Sequence, residues 1–155
     1  VADRAGLVFS SEQLKARLEE RIAAASLFDQ AKFAFSRHRF EQARSLLERV
    51  LLDEPANVEA VIVMGLLHER HALNRPGKAL PYYQRAERMG KNPREVLAGM
   101  YLQFLWHIRT GKRDRAVNLG REMLSRYELE ANCRGRVLAA LGKLTAKAGP
   151  AKSRR

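Results

Sequence analysis

Three segments of the chain carry the same spaced pattern, and that repetition constrains the fold more than any other feature. The first is Phe40-Glu41-Gln42-Ala43-Arg44-Ser45-Leu46-Leu47-Glu48-Arg49-Val50, followed by Pro55. The second is Gly77-Lys78-Ala79-Leu80-Pro81-Tyr82-Tyr83-Gln84-Arg85-Ala86, and the third is Asp114-Arg115-Ala116-Val117-Asn118-Leu119-Gly120-Arg121-Glu122-Met123. In each, an Ala is followed by residues at +4 and +7, positions that share one face of a helix. The three sets are Ala43-Leu47-Val50, Ala79-Tyr83-Ala86 and Ala116-Gly120-Met123. A helical unit returning every ~34 residues is the mark of stacked repeats, which as a class bind rather than catalyse.

Caps and breakers place the helices. Ser10-Ser11-Glu12-Gln13 reads as a capping box opening a first helix, with Leu14, Leu18, Ile22 and Ala25 on one face. A second helix, about 26–37, carries Phe28, Ala31 and Phe35; no Gly or Pro separates it from the first, so one continuous helix is also open. A third runs from Phe40 to Leu52 and stops before Pro55. Asn57 caps a fourth holding Val61, Met64, Gly65 and His68. Pro76-Gly77 opens a fifth, with Pro81 expected early enough that its missing N–H costs little. Asn92-Pro93-Arg94-Glu95 combines a cap, a first-turn proline and a capping-box glutamate for a sixth, which ends at Thr110-Gly111. A seventh covers about Lys112–Tyr127. The eighth, Glu130–Ala146, is expected to pack Val137, Leu138, Leu141 and Leu144 and to expose Arg134, Lys143 and Lys147. Gly149-Pro150 ends it, and a disordered basic tail over 149–155 is expected.

Charge is divided unevenly. Residues 1–69 hold 9 Lys/Arg against 11 Asp/Glu, whereas residues 131–155 hold 7 Lys/Arg and no acid, so the excess of +12 belongs to the C-terminal half. Such a surface attracts acidic partners in a salt-dependent way. No apolar run approaches the ~18 residues of a membrane span. Because the chain opens on Val1 rather than Met, a removed N-terminal segment is allowed for: the cytoplasm is the favoured compartment and the periplasm stays open. The single cysteine, Cys133, excludes an internal disulfide.

With these residues in place, the sequence resembles the tetratricopeptide repeat family. The middle repeat shows Val61, Met64-Gly65, His68, Ala79, Tyr83 and Ala86, with two extra residues in the turn at Asn74-Arg75-Pro76. The first shows Leu27, Gln30-Ala31, Ala34, Ala43, Leu47, Val50 and Pro55. The third shows Met100, Gln103-Phe104, His107, Gly111, Ala116, Gly120 and Met123, which sets Phe104 at a normally small site; a one-residue shift using Leu102 and Trp106 is equally arguable. The resemblance covers about 24–128. It implies an all-α, right-handed superhelix of three helix pairs (about 26–55, 57–91 and 93–128). An N-terminal arm and helix (1–25) precede the pairs, and a capping helix (129–148) follows them.

The resemblance further implies that the first helix of each pair lines a concave groove. Its positions fall on Phe28, Asp29, Lys32 and Phe35, then Ile62, Val63, Leu66 and Glu69, then Tyr101, Leu102, Leu105, Ile108 and Arg109. Mostly apolar, such a wall suits an extended or helical segment of another protein; the N-terminal helix or a second copy is the competing occupant. Some members of the family clamp a terminal carboxylate with Lys and Asn. The corresponding positions here are Phe28, Lys32, Val63, Ala98 and Leu102, with one cation and no Asn, so that role is not expected.

Other chemistries find little support. His68 and His71 are three apart where a zinc-hydrolase helix needs four, and no third ligand is evident. His68 and His107 fall at the family's aromatic position, which favours packing. Cys133 has no nearby base, no Gly-x-Ser-x-Gly occurs, and Gly111-Lys112 is a helix–helix turn rather than a phosphate loop. A basic patch of Arg109, Lys112, Arg113, Arg115 and Arg121 would suit an acidic protein, an anionic membrane surface or nucleic acid. The groove lacks base-reading polar pairs, which sets nucleic acid behind protein. The expected function is therefore a non-enzymatic, cofactor-free adaptor. The alternatives are a bacterial secretion or pilus-assembly chaperone of the same type and a basic nucleic-acid-binding repeat protein.

Overall fold

The structure is a computed structural model that describes residues 10–23, 26–70 and 75–146. Among them it is all-helical: α1 (Ser11–Ala23), α2 (Leu27–Ser36), α3 (Phe40–Asp53), α4 (Val58–Arg70), α5 (Pro76–Met89), α6 (Pro93–Arg109), α7 (Arg113–Arg126) and α8 (Ala131–Ala146). The chain divides into two units, Val1–Pro55 and Ala56–Arg155. Ala25, the turn residues His71 to Asn74, and the expected N-terminal arm and basic tail lie outside the described residues.

The caps work as the sequence suggests. Gln13 N–H donates to Ser10 Oγ and Ser10 N–H to Gln13 Oε1, a reciprocal box that opens α1. Asn57 Oδ1 accepts from Ala60 N–H, and Asn92 Oδ1 from Glu95 N–H. Glu95 reaches back to Lys91 N–H at 2.7 Å, one residue before the cap. The continuous α1–α2 helix does not form. Ser26 leaves helical geometry (ψ 156°) and its Oγ accepts from Asp29 N–H. The Ser26-x-x-Asp29 spacing is the signal that marks this break.

In the first unit α2 packs on α3 and α1 touches α2. The inward stripe is Ala31 and Ala34 against Ala43, Leu47 and Val50, all buried, whereas Leu14 and Leu18 of α1 stay exposed. In the second unit α5 packs against both α4 and α6, and α7 against both α6 and α8. Each repeated triad is buried: Ala43-Leu47-Val50 in α3, Ala79-Tyr83-Ala86 in α5 and Ala116-Gly120-Met123 in α7. The larger core gathers Met100, Phe104, Ala116, Met123, Leu129 and Val137.

One backbone bond closes all three hairpins. Arg39 N–H donates to Ala34 O, Lys112 N–H to His107 O and Arg75 N–H to His68 O, at 2.8 to 2.9 Å. The first and third span five residues and carry the second bond of a Schellman turn, His38 to Phe35 and Gly111 to Ile108. The middle one spans seven, which locates the two extra residues. It also makes His68 and His107 equivalent positions of two hairpins, the register in which Phe104 corresponds to Gly65. Phe104 fits there because its partner shrank: a Cβ on Gly120 would lie 2.9 Å from the Phe104 ring, just as a Cβ on Gly65 would lie 2.6 Å from the Tyr83 ring.

Two expectations change. Pro81 is the sixth residue of α5, beyond the turn whose N–H groups lack partners, so it removes the bond that Gly77 O would accept. Gly77 and Pro81 are both exposed, so that carbonyl lies at the surface rather than in the core. Leu138, expected to pack, is 48% exposed, because the inward side of α8 is centred on Cys133, Val137, Ala140, Leu141 and Leu144.

Candidate functional site

Of the residues expected to meet a partner, those of the second unit lie on α4 and α6 and those of the first on α2. Helices α4 and α6 run parallel. Their N-terminal ends share a cleft of ≈ 480 Å³ lined by Val58, Glu59 and Ile62 of α4 and by Asn92, Arg94, Glu95 and Ala98 of α6. At their C-terminal ends Glu69 and Arg109 form an ion pair. Helix α5 lies behind both, and close approach there demands glycine. A Cβ on Gly99 would sit 2.5 Å from the backbone nitrogen of Glu87, an atom that cannot swing aside.

Ile62, Val63, Leu66, Tyr101, Leu102, Leu105 and Ile108 are all half-buried. Leu66 and Leu102 rest on the cluster of Ala79, Tyr83 and Trp106, whereas Tyr101, Leu105 and Ile108 border the larger core. These five side chains are seated by their neighbours and still reach solvent. A surface of this kind offers apolar area to a partner without much ordering cost.

The two charges expected on this face turn toward each other. Glu69, with a side chain 4% exposed, accepts from Tyr83 Oη–H at 2.6 Å and from Arg109, whose side chain is 34% exposed. The sequence pattern does not disclose this tie, since 40 residues separate its ends. Nor does it disclose the role of Trp106, which is buried, donates from Nε1 to Pro76 O at 2.7 Å and carries Lys112 Nζ 4.5 Å above its ring. Both close the end of the face with satisfied polar groups.

The first-unit candidates engage one another along α2. Lys32 Nζ lies 3.0 Å from Asp29 and 4.6 Å from the centre of the Phe28 ring, while Phe35 meets Phe40 edge-on. Hydrogen bonds from Lys32 and Ser26 hold the Asp29 carboxyl below its ordinary range. A separate cleft of ≈ 560 Å³ lies among Lys15, Leu18, Phe33, Arg37 and Gln42.

The residues of the expected basic patch have different surroundings. Arg109 is bound to Glu69, Lys112 sits on Trp106, and Arg113 donates to Thr145 O at the C-terminal end of α8, where the helix dipole favours a cation. Arg115 and Arg121 project from the exposed side of α7.

No family model matches this chain, and none of the curated proteins does.

His68, His107 and Cys133 are at least partly buried. His68 stacks on Tyr82 with centroids 5.3 Å apart. His107 is buried, with no hydrogen-bond partner at Nδ1 among the described residues. Burial, and then the charges of Arg115 and Lys112, push its pKa down. Burial raises the Cys133 thiol, which disfavours the reactive thiolate. Among the described residues no three His, Cys, Asp or Glu side chains are grouped to hold a metal, and no helix is long and apolar enough to cross a membrane. His71 lies outside them.

Proposed function

We propose that the chain is a non-enzymatic adaptor of the tetratricopeptide type that holds an apolar polypeptide segment along the α4/α6 face. The observation that carries this reading is the run of half-buried Ile62, Val63, Leu66, Leu102 and Leu105 on two parallel helices. With Glu69 and Arg109 neutralising each other at one end, recognition rests on shape and apolar area rather than on a charge clamp. Arg115 and Arg121, exposed on α7, steer an acidic client toward the chain before it docks.

Peptides selected from a display library on the intact chain test the reading. Leu66→Asp and Leu105→Asp should each weaken the selected peptides about tenfold or more, as loss of an anchor does. Leu52→Asp, at an exposed position of α3, should leave them bound. Equal affinity for all three variants would remove the α4/α6 face as the site.

A further inference from the structure

Mid-helix glycines in the second unit serve as seats for another helix. Gly65, Gly99 and Gly120 each have a neighbouring helix so close that a Cβ would lie within 3 Å of its atoms. Helix α8 holds two more, Gly135 and Gly142, and nothing lies within 4 Å of the Cβ that either would carry. Glycine weakens a helix, so two of them on an open face cost stability without any packing gain inside the described fold.

They belong to a larger surface. The side of α8 turned away from the core shows Ala131, Gly135, Leu138, Ala139, Gly142 and Ala146, all exposed and none charged or polar. The open side of α7 is different: Arg115, Asn118, Arg121 and Ser125 stand there. A helix that faces water is normally polar on that side. The edges of the α8 face are basic, with Arg134 along one rim and Arg136 and Lys143 along the other, and α8 contains no Asp or Glu.

We infer that the outer face of α8 seats an acidic amphipathic helix of another protein, its large apolar side chains lying over Gly135, Ala139 and Gly142 beside Leu138, and its carboxylates meeting Arg134, Arg136 and Lys143. The occupant follows from size and charge. Small residues let helix axes approach closely and call for large partners, the arrangement already present where Phe104 fills the space over Gly120. Cations on both rims, in no ion pair among the described residues, call for carboxylates. A second copy docked α8 to α8 would set these cations against themselves. The chain's own residues 147–155 carry the same sign and contain Gly149-Pro150. This surface is separate from the α4/α6 face, and the two fail separately.

The test uses the intact chain and three synthetic helices: one with leucines at i, i+4 and i+7 flanked by glutamates, one with alanine for leucine, and one with lysine for glutamate. Fluorescence anisotropy should show the acidic leucine helix bound. Gly135→Leu/Gly142→Leu should weaken it about tenfold by filling the seat, while the protein's thermal midpoint holds or rises because two glycines leave a helix. Arg136→Glu/Lys143→Glu should cost about as much. Leu66→Asp should bind as the unaltered chain does; loss there would move the peptide to the α4/α6 face and end the α8 inference. Absence of binding by the acidic leucine helix would overturn it, as would equal binding by the alanine or lysine helix. Self-association abolished by Gly135→Leu/Gly142→Leu would assign the face to a second copy and equally overturn it.

Discussion

In the α4–α5 hairpin the small residue stands on the first helix, where Gly65 faces the ring of Tyr83; in the α6–α7 hairpin it stands on the second, where Gly120 faces the ring of Phe104. The two sites hold one aromatic side chain and one glycine each, so the space between helices is filled alike. What a repeat conserves here is the sum of two volumes, not the residue at either position. Close packing makes that sum strict, because an interior tolerates neither a void nor a collision.

Breaking the third hairpin should give the largest effect. Phe104→Ala removes a fully buried ring and should cost about 3–5 kcal/mol in denaturant unfolding. If the volumes are coupled, adding Gly120→Leu recovers part of the loss, with a coupling of about 1–3 kcal/mol; strictly additive losses would refute the exchange. Gly65→Leu comes next. It collides with Tyr83 and should destabilise by about 1–3 kcal/mol, and Gly65→Leu/Tyr83→Ala should unfold later than the sum of its parts allows.

A smaller contrast sharpens the comparison of turns. His38 (φ 58°) and Gly111 (φ 71°) occupy the same place in two Schellman closures, and only glycine adopts that region freely. His38→Gly should therefore stabilise by about 1 kcal/mol, and Gly111→Ala should destabilise by a similar amount. Thermal midpoints that move in the same direction would contradict this.

The smallest effect is with pH. His107 has a folded pKa below its ordinary 6.5, so the unfolded chain takes up a proton that the folded chain resists. Its contribution is complete above about pH 6.5 and declines as pH falls below that value. His107→Gln should flatten the dependence of the unfolding midpoint between neutral pH and pH 5. An unchanged slope would assign the acid sensitivity to other groups.

The triads were legible because a 3.6-residue period announces itself locally, as did the caps at Ser10, Asn57 and Asn92 and the two extra residues before Pro76. Ser26 was legible too, through Asp29 three residues on, yet the absence of Gly or Pro there suggested continuity. The candidate face was legible as a set of positions on α4 and α6. Its chemistry was not. Glu69 and Arg109 read as charges offered to a partner, but they are 40 residues apart and meet each other. Trp106 read as one of two possible registers, and its indole proved to be held by Pro76 O.

Periodicity, capping residues and helix breakers are written along the chain, so the sequence by itself determined an all-helical protein with three buried Ala-based stripes and a basic C-terminal half. Which glycine received which ring, which charges cancelled, and which side of α8 stayed bare were decided only by the tertiary structure. Those outcomes depend on atoms from distant helices competing for the same few ångströms, and no local pattern encodes the winner.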